Sequence, residues 1–208
     1  AAIVGCTIQH EMKSPDSANI RVVGRGEVLR KTEKIPVRCG HLTIADNVLS
    51  DVQVNIDLVG VRGVTIVGNT LWQGYTANLR VVDSQQVVVG ANAMERNPLY
   101  GYTTEASNRV LLQDCQDCTI NALHLHDVRD AEAGLVLRRC RRIHLTGCTI
   151  LDCAPIGVLL DEVRDSRVGE LLIRNDPAPD RPAATPLVVR GGGENAISPD
   201  LLPPAERR

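Results

Sequence analysis

The sequence predicts an all-β fold: a solenoid of about seven coils, with three short parallel strands per coil. Two observations carry this. Five segments align without a gap: NIDLVGVRGVTIVGNTL from Asn55, NLRVVDSQQVVVGANAM from Asn78, RVLLQDCQDCTINALHL from Arg109, GLVLRRCRRIHLTGCTI from Gly134 and GVLLDEVRDSRVGELLI from Gly157. Their starts lie 23, 31, 25 and 23 residues apart, a fixed period of the kind that marks a repeat architecture. The composition agrees, because 43% of the 208 residues are hydrophobic yet Phe is absent and the aromatics are one Trp and three Tyr. Aliphatic, β-branched side chains fill thin layers of strands rather than a bulky globular core.

Each unit reads as a strand, a short turn, a second strand, a bend, a third very short strand and a loop of variable length. Ile56 and Leu58 supply one inward face by alternation, and Val64 and Ile66 supply the next. A unit this short cannot bury its own apolar face, and stacking successive copies does so. A further copy opens with NIRVV at Asn19 and resumes at CGHLTIADNVL after an insertion, GCTI at Gly5 ends an earlier one, and PLVVR at Pro186 opens a last one. No linker divides the chain. Residues 1–208 therefore form a single domain, with coils over about 1–175 and a final partial coil and tail over 176–208.

Asn47, Asn69 and Asn92 occupy the bend after the second strand in three consecutive units, and Cys6, Leu123, Cys148 and Leu171 hold the same slot elsewhere. In this the chain resembles the right-handed parallel β-helix proteins of the pectate-lyase-like superfamily, over roughly residues 1–175. The resemblance implies a stacked Asn ladder at that bend and activity on carbohydrate. It also implies Ca2+ as a possible cofactor, with a Lys or Arg base. The chain carries no acidic cluster suited to calcium, Asp57 being the only carboxylate in the first three units of the central column. The Asn-Thr-Asp and paired-Asp motifs of the β-helix polygalacturonases are absent as well.

Cys115 and Cys118 form a Cys-x-x-Cys pair, a spacing shared by zinc sites and thiol–disulfide centres. Other units fill the two positions with Cys39 and Leu42, Val61 and Val64, Ser84 and Val87, Cys140 and Ile143, and Val163 and Ser166. The slot takes small or apolar residues, so these thiols, like Cys148 and Cys153, are expected to be buried, reduced and free of metal.

The outward positions of the first strand form columns along the stack, where a site can be assembled from distant residues. One column reads Arg21, Asp57, Arg80, Leu111, Val136 and Leu159; the other reads Asn19, Asn55, Asn78, Arg109, Gly134 and Gly157. Polarity thus gathers in the N-terminal units, with aliphatics and Gly expected on the surface of the later ones. All the aromatics, Trp72, Tyr75, Tyr100 and Tyr102, fall in segments leading into the Asn78 and Arg109 units, where flat apolar faces with polar edges suit sugar rings. The insertion from Gly24 adds a basic cluster, Arg25, Arg30, Lys31 and Lys34, and LHLHDVRDAE adds His124 and His126 with nearby carboxylates.

These residues lead to a carbohydrate-active protein acting on an acidic polysaccharide, as a lyase working by β-elimination. Arg80, Asp57 and His126 are the candidate catalytic residues, with His10 as an alternative base. Arg21, Arg109, Trp72, Tyr75, Tyr100 and Tyr102 are the candidate substrate-binding residues. Elimination requires neutralisation of the uronate carboxylate, which Arg supplies, and a base for the adjacent proton. The alternatives are a non-catalytic glycan-binding or structural solenoid and a glycoside hydrolase, in which Asp57 would pair with Glu95 or Glu105.

The formal net charge of -2 argues against nucleic acid as the partner, which draws an excess of Lys and Arg. No run of apolar residues approaches the length of a membrane span. A polysaccharide ligand implies a secreted or periplasmic protein, although the opening residues contain no signal peptide.

Overall fold

The computed structural model describes residues 1–11, 14–97, 99, 106–176 and 183–202. Three sheets of parallel strands run the length of the described chain, as expected of a right-handed parallel β-helix. The first sheet holds Ala18–Val23, Val52–Val59, Gly74–Val82, Val110–Gln113, Leu135–Arg138, Ile156–Asp161 and Thr185–Arg190. The second runs from Ala2–Val4 and Cys39–Ala45 to Ala196–Ile197, and the third from Thr7–Gln9 to Leu172–Arg174.

The hydrogen-bonded register coincides with the sequence repeat. Ile56, Leu79, Val110, Leu135, Val158 and Leu187 stack in adjacent strands of the first sheet. The Pro186 stretch is therefore one more rung. The stacked inward side chains make one continuous aliphatic core, in which Ile44, Leu49, Ile56, Leu58, Ile66, Leu71, Leu79 and Leu125 are fully buried. At the C-terminal end a 3-10 turn, Pro199–Leu201, brings Leu201 and Leu202 over this core. Solenoids need such a cap, because an open last coil would leave its apolar face in water.

The corners explain many of the polar residues. Between the first and second sheets the backbone takes the left-handed conformation twice, three residues apart: Gly60 and Gly63, Asp83 and Gln86, Asp114 and Asp117, Arg139 and Arg142, Glu162 and Asp165. Each non-Gly residue so placed costs about 1 kcal/mol, least for Asp and Asn. Ion pairs between coils offset part of that cost: the Arg139 guanidinium donates to both carboxylate oxygens of Asp114 at 2.7 and 2.8 Å, and Arg142 does the same for Asp117. These partners hold both carboxyls below the usual Asp range. A depressed folded-state pKa means that the stabilisation is present above the ordinary Asp value and fades as acid protonates the groups.

Asn47, Asn69 and Asn92 form the expected ladder. Asn47 Nδ2 donates to Asn69 Oδ1 and Asn69 Nδ2 to Asn92 Oδ1, each at 2.9 Å, while the backbone N–H of Asn47 and of Asn69 donates to the same two oxygens at 3.0 Å. The other amide protons reach the carbonyls of Ile3, Ile44 and Ile66.

A second ladder departs from the sequence reading. Asn19, Asn55 and Asn78 were expected on the surface, yet Asn55 and Asn78 are completely buried. Asn19 Nδ2 donates to Asn55 Oδ1, and Asn55 Nδ2 to Asn78 Oδ1, each at 2.8 Å. Further donation to the carbonyls of Ser50, Trp72 and Leu71 ties the first sheet to the corner before it. Alternation places these residues opposite Ile56 and Leu58, but the corner folds over them and makes them structural.

The later rungs depart in the same way. Leu111, Val136 and Leu159 point away from the tube but pack with Ala133 and Ile156 into a second, small apolar cluster. Val136 is only 1% exposed and Leu159 is completely buried. Gly134 and Gly157 are buried, and a Cβ at either would strike its neighbours, at 2.8 Å from Cys153 Sγ and 2.7 Å from the carbonyl of Pro186 respectively.

The Gly24 insertion folds into an antiparallel hairpin, Glu27–Arg30 with Glu33–Pro36, which pairs with no other strand among the described residues.

Candidate functional site

Arg21, Asp57 and Arg80 stand in register on three adjacent strands of the first sheet, on the face turned away from the core. Asp57 lies beneath the two arginines, 2% exposed. Arg21 Nε donates to one carboxylate oxygen at 2.9 Å and Arg80 Nη1 to the other at 2.7 Å. The Arg21 and Arg80 side chains remain 42% and 38% exposed. Two guanidinium groups on one carboxylate leave the trio with a formal charge of +1, carried by surface N–H groups. The buried carboxylate fixes where those groups point, and each of its oxygens already accepts from an arginine.

Neighbouring residues extend this face. Tyr75 and Thr76 bulge out of register between Gly74 and Ala77, and Arg109 Nε donates to the carbonyl of Thr76 at 3.2 Å. The bulge swings Tyr75 and Thr76 off the pleat, as bulges do where a side chain is re-aimed. Tyr75 belongs to the first-sheet strand rather than to a loop, and half-buried Trp72 ends a third-sheet strand, Thr70–Trp72. Tyr100, Tyr102 and Glu105 lie outside the described residues.

The other candidates do not join this group. His124 and His126 belong to a third-sheet strand, His124–His126, and His126 Nε2 lies 3.3 Å from a carboxylate oxygen of Asp152. His10 follows another third-sheet strand and is exposed. Glu95 ends the third-sheet strand Ala93–Glu95, so it is not paired across a cleft with buried Asp57. The proton acceptor proposed for elimination and the arginines proposed to neutralise a carboxylate thus sit on different sheets.

Sequence reasoning did not single out Arg96. It is 6% exposed, donates through Nε to the carbonyl of Asp127 at 3.2 Å and bonds the carbonyl of Ala106. Burial lowers its affinity for its proton, against the opposing attraction of Asp127. Its Nη1, like side-chain atoms of Gln73, Ser107 and Asn108, is buried with no hydrogen-bond partner among the described residues. Only its place at the start of the longest insertion could have marked it.

The thiols lie where the repeat put them. Cys115, Cys118 and Cys140 are each 2% exposed and hydrogen-bond the carbonyls of Gln113, Gln116 and Arg138. Contact with the Cys118 and Cys140 thiols, followed by burial, pushes the Cys115 thiol upward, and burial pushes Cys148 upward. All seven cysteines are free, with Cys6 and Cys39 exposed. Ellman's reagent is therefore expected to titrate Cys6 and Cys39 quickly in the native protein and the other five only on unfolding. Rapid reaction of Cys115 and Cys118 in the folded state would overturn their placement.

A family model described as periplasmic copper-binding protein (NosD) matches residues 16–175. The chain belongs to the NosD family. The match covers the coils from the Asn19 unit to the Gly157 unit and ends before the last rung. No curated protein matches the chain. Because the family description names copper, the donors of this NosD-family chain bear directly on a metal. Among the described residues no three or more His, Cys, Asp or Glu side chains are arranged to hold an ion. Asp57 is occupied by two arginines, His126 faces Asp152 alone, and the buried thiols donate their protons to carbonyls. The described residues do not fit a copper or a calcium site. No described helix is long and apolar enough to cross a membrane.

Proposed function

We propose that the protein is a non-catalytic binding solenoid that holds an acidic polysaccharide across the N-terminal part of its first sheet. The observation carrying this reading is the Arg21–Asp57–Arg80 trio, two guanidinium groups fixed on a rigid sheet with a net positive charge, Arg21 also donating through Nη2 to the carbonyl of Asp16. Planar Arg forks match carboxylates bidentately. A polymer running along the stack would meet Arg21, then Arg80 two rungs on and Arg109 on the rung after that, adjacent rungs being about 4.8 Å apart. Trp72 and Tyr75 offer ring faces beside them.

The lyase reading requires a base within hydrogen-bond reach of the proton to be removed. Asp57 is already spoken for, and His126 belongs to another sheet. Binding without cleavage is the better-supported alternative. The family description places its members in the periplasm, and we place this protein there, where an extracellular or cell-wall polysaccharide is within reach.

The test is titration calorimetry with polygalacturonate and with a neutral glucan, alongside the ultraviolet absorbance of an unsaturated uronate product. Binding of the acidic polymer alone, with no absorbance rise, is expected. Arg80→Ala should weaken that binding about tenfold, equivalent to about 1.4 kcal/mol. The same change should cost about 2 kcal/mol of stability, because buried Asp57 loses one of its two charged donors. Unchanged affinity in Arg80→Ala would overturn the site, and enzyme-dependent growth of the absorbance would restore the lyase.

A further inference from the structure

The hairpin formed by Glu27–Arg30 and Glu33–Pro36 stands over the outward side of the second sheet and encloses a cleft of about 610 Å³. This volume lies in the range of small-molecule sites. One wall is apolar. Val28 and Ile35, directly opposite each other across the hairpin, line it together with Pro36 and Val37. Val28 and Ile35 remain 45% and 39% exposed, open to the cleft and to solvent. The other wall is basic, with Arg30, Arg38, Arg62 and His41.

The charges on that wall are unevenly answered. Arg38 is paired with Asp83 at 2.9 Å, and Arg62 Nε donates to the amide oxygen of Gln86 at 2.9 Å, which leaves its charge uncompensated. Arg30 has no hydrogen-bond or ion-pair partner among the described residues, nor does the imidazole of His41. Glu33 is opposite Arg30 in the hairpin but forms no ion pair with it, and Glu27 is engaged by Lys34 at 3.7 Å. A chain with an overall charge of -2 thus concentrates two unneutralised guanidinium groups against an apolar wall. A two-stranded hairpin is marginal by itself, and its attachment to the solenoid is narrow. At the stem, Gly24 N–H donates to the carbonyl of Val59, and Val37 N–H closes back on Gly26.

We infer that this cleft is a binding site for an amphipathic organic anion, a carboxylate or sulfonate on an apolar body. The oxyanion lies between Arg30 and Arg62, and the apolar body rests on Val28 and Ile35. The site is on a different sheet from the Arg21–Asp57–Arg80 face and does not depend on the polysaccharide reading.

The experiment uses the full chain and anilinonaphthalene sulfonate, whose fluorescence rises on an apolar surface, with decanoate and inorganic phosphate as competitors. The expected result is one saturable site, displaced by decanoate and not by phosphate. The double substitution Arg30→Ala with Arg62→Ala should weaken the dye at least about tenfold, and so should Val28→Asp, because each removes one of the two walls. Replacing residues 27–36 with a short glycine linker should abolish binding while the far-ultraviolet circular dichroism of the solenoid persists. Undiminished binding in either wall variant, or in the linker variant, overturns the site. Displacement by phosphate as strong as by decanoate also overturns it, since the apolar wall would then contribute nothing.

Discussion

Asn69→Ala is expected to lower the melting temperature by about 10 °C. Asn69 is the middle member of its ladder and 1% exposed. Its Oδ1 accepts from both the backbone N–H and the side-chain amide of Asn47, and its Nδ2 donates to Asn92 Oδ1 and to the carbonyl of Ile44. Truncation removes these bonds and leaves the buried N–H of Asn47 without a partner. Each buried polar group so stranded costs about 1–3 kcal/mol, giving a loss of about 3–4 kcal/mol. For a chain of this size about 1 kcal/mol corresponds to about 2–4 °C. Asn47→Ala should cost less, because the group it strands, the N–H of Cys6, belongs to an exposed residue at the end of the stack. Thermal unfolding followed by circular dichroism checks both. A loss for Asn69→Ala smaller than that for Asn47→Ala would mean that the ladder is not a cooperative element of the stack.

Gly157→Ala should destabilise by about 2–4 kcal/mol and act first on the C-terminal coil. Gly157 lies in the strand Ile156–Asp161, and a Cβ there would sit 2.7 Å from the carbonyl oxygen of Pro186 and 2.7 Å from Ile173 Cγ2. Neither neighbour gives way cheaply. The Pro186 carbonyl belongs to the adjacent strand Thr185–Arg190, held in register from Ile156↔Thr185 to Asp161↔Arg190, and Ile173 is 3% exposed. Forcing extra volume into such a contact costs about 1–3 kcal/mol even where the obstacle is a side chain. A solenoid's stability is shared between nearest neighbours, so the damage should appear as early hydrogen exchange in residues 185–197 while the Asn ladders stay protected. Uniform loss of protection along the whole stack, or none, would contradict this.

How much was legible in the sequence differs from one part of the molecule to another. The repeat, the parallel register and the Asn47–Asn69–Asn92 ladder could be read directly, because each depends on a periodic pattern that stacking converts into contact: Arg80 falls beside Asp57 because both stand at the same place in their units. The burial of Cys115 and Cys118 followed from the same alignment, since their slot is filled by Val, Ile, Leu and Ser in other coils.

Exposure was the quantity that alternation alone misjudged. It correctly separates Ile56 from Asn55 and Asp57, but says only which face of the sheet a side chain takes, not whether a corner or a neighbouring segment covers that face. Asn55 and Asn78 were therefore assigned to the surface when they form an internal ladder. Leu111, Val136 and Leu159 were expected in solvent when they build a second apolar cluster. The many Asp residues at corners carry a local signal, tolerance of the left-handed backbone, that looks in the sequence like acid–base chemistry.

By itself the sequence determined the architecture, because a short repeat with one apolar face per strand can bury that face only by stacking copies of itself. The repeat itself brings Arg21 and Arg80 to Asp57, but the tertiary structure alone decided the encounters that insertions and corners make. His126 turns to Asp152 on another sheet, and the Gly24 insertion becomes a hairpin whose basic and apolar walls enclose a cleft. Partners of that kind depend on insertion paths and corner geometry. Neither is periodic, so no comparison of the chain with itself could reveal them.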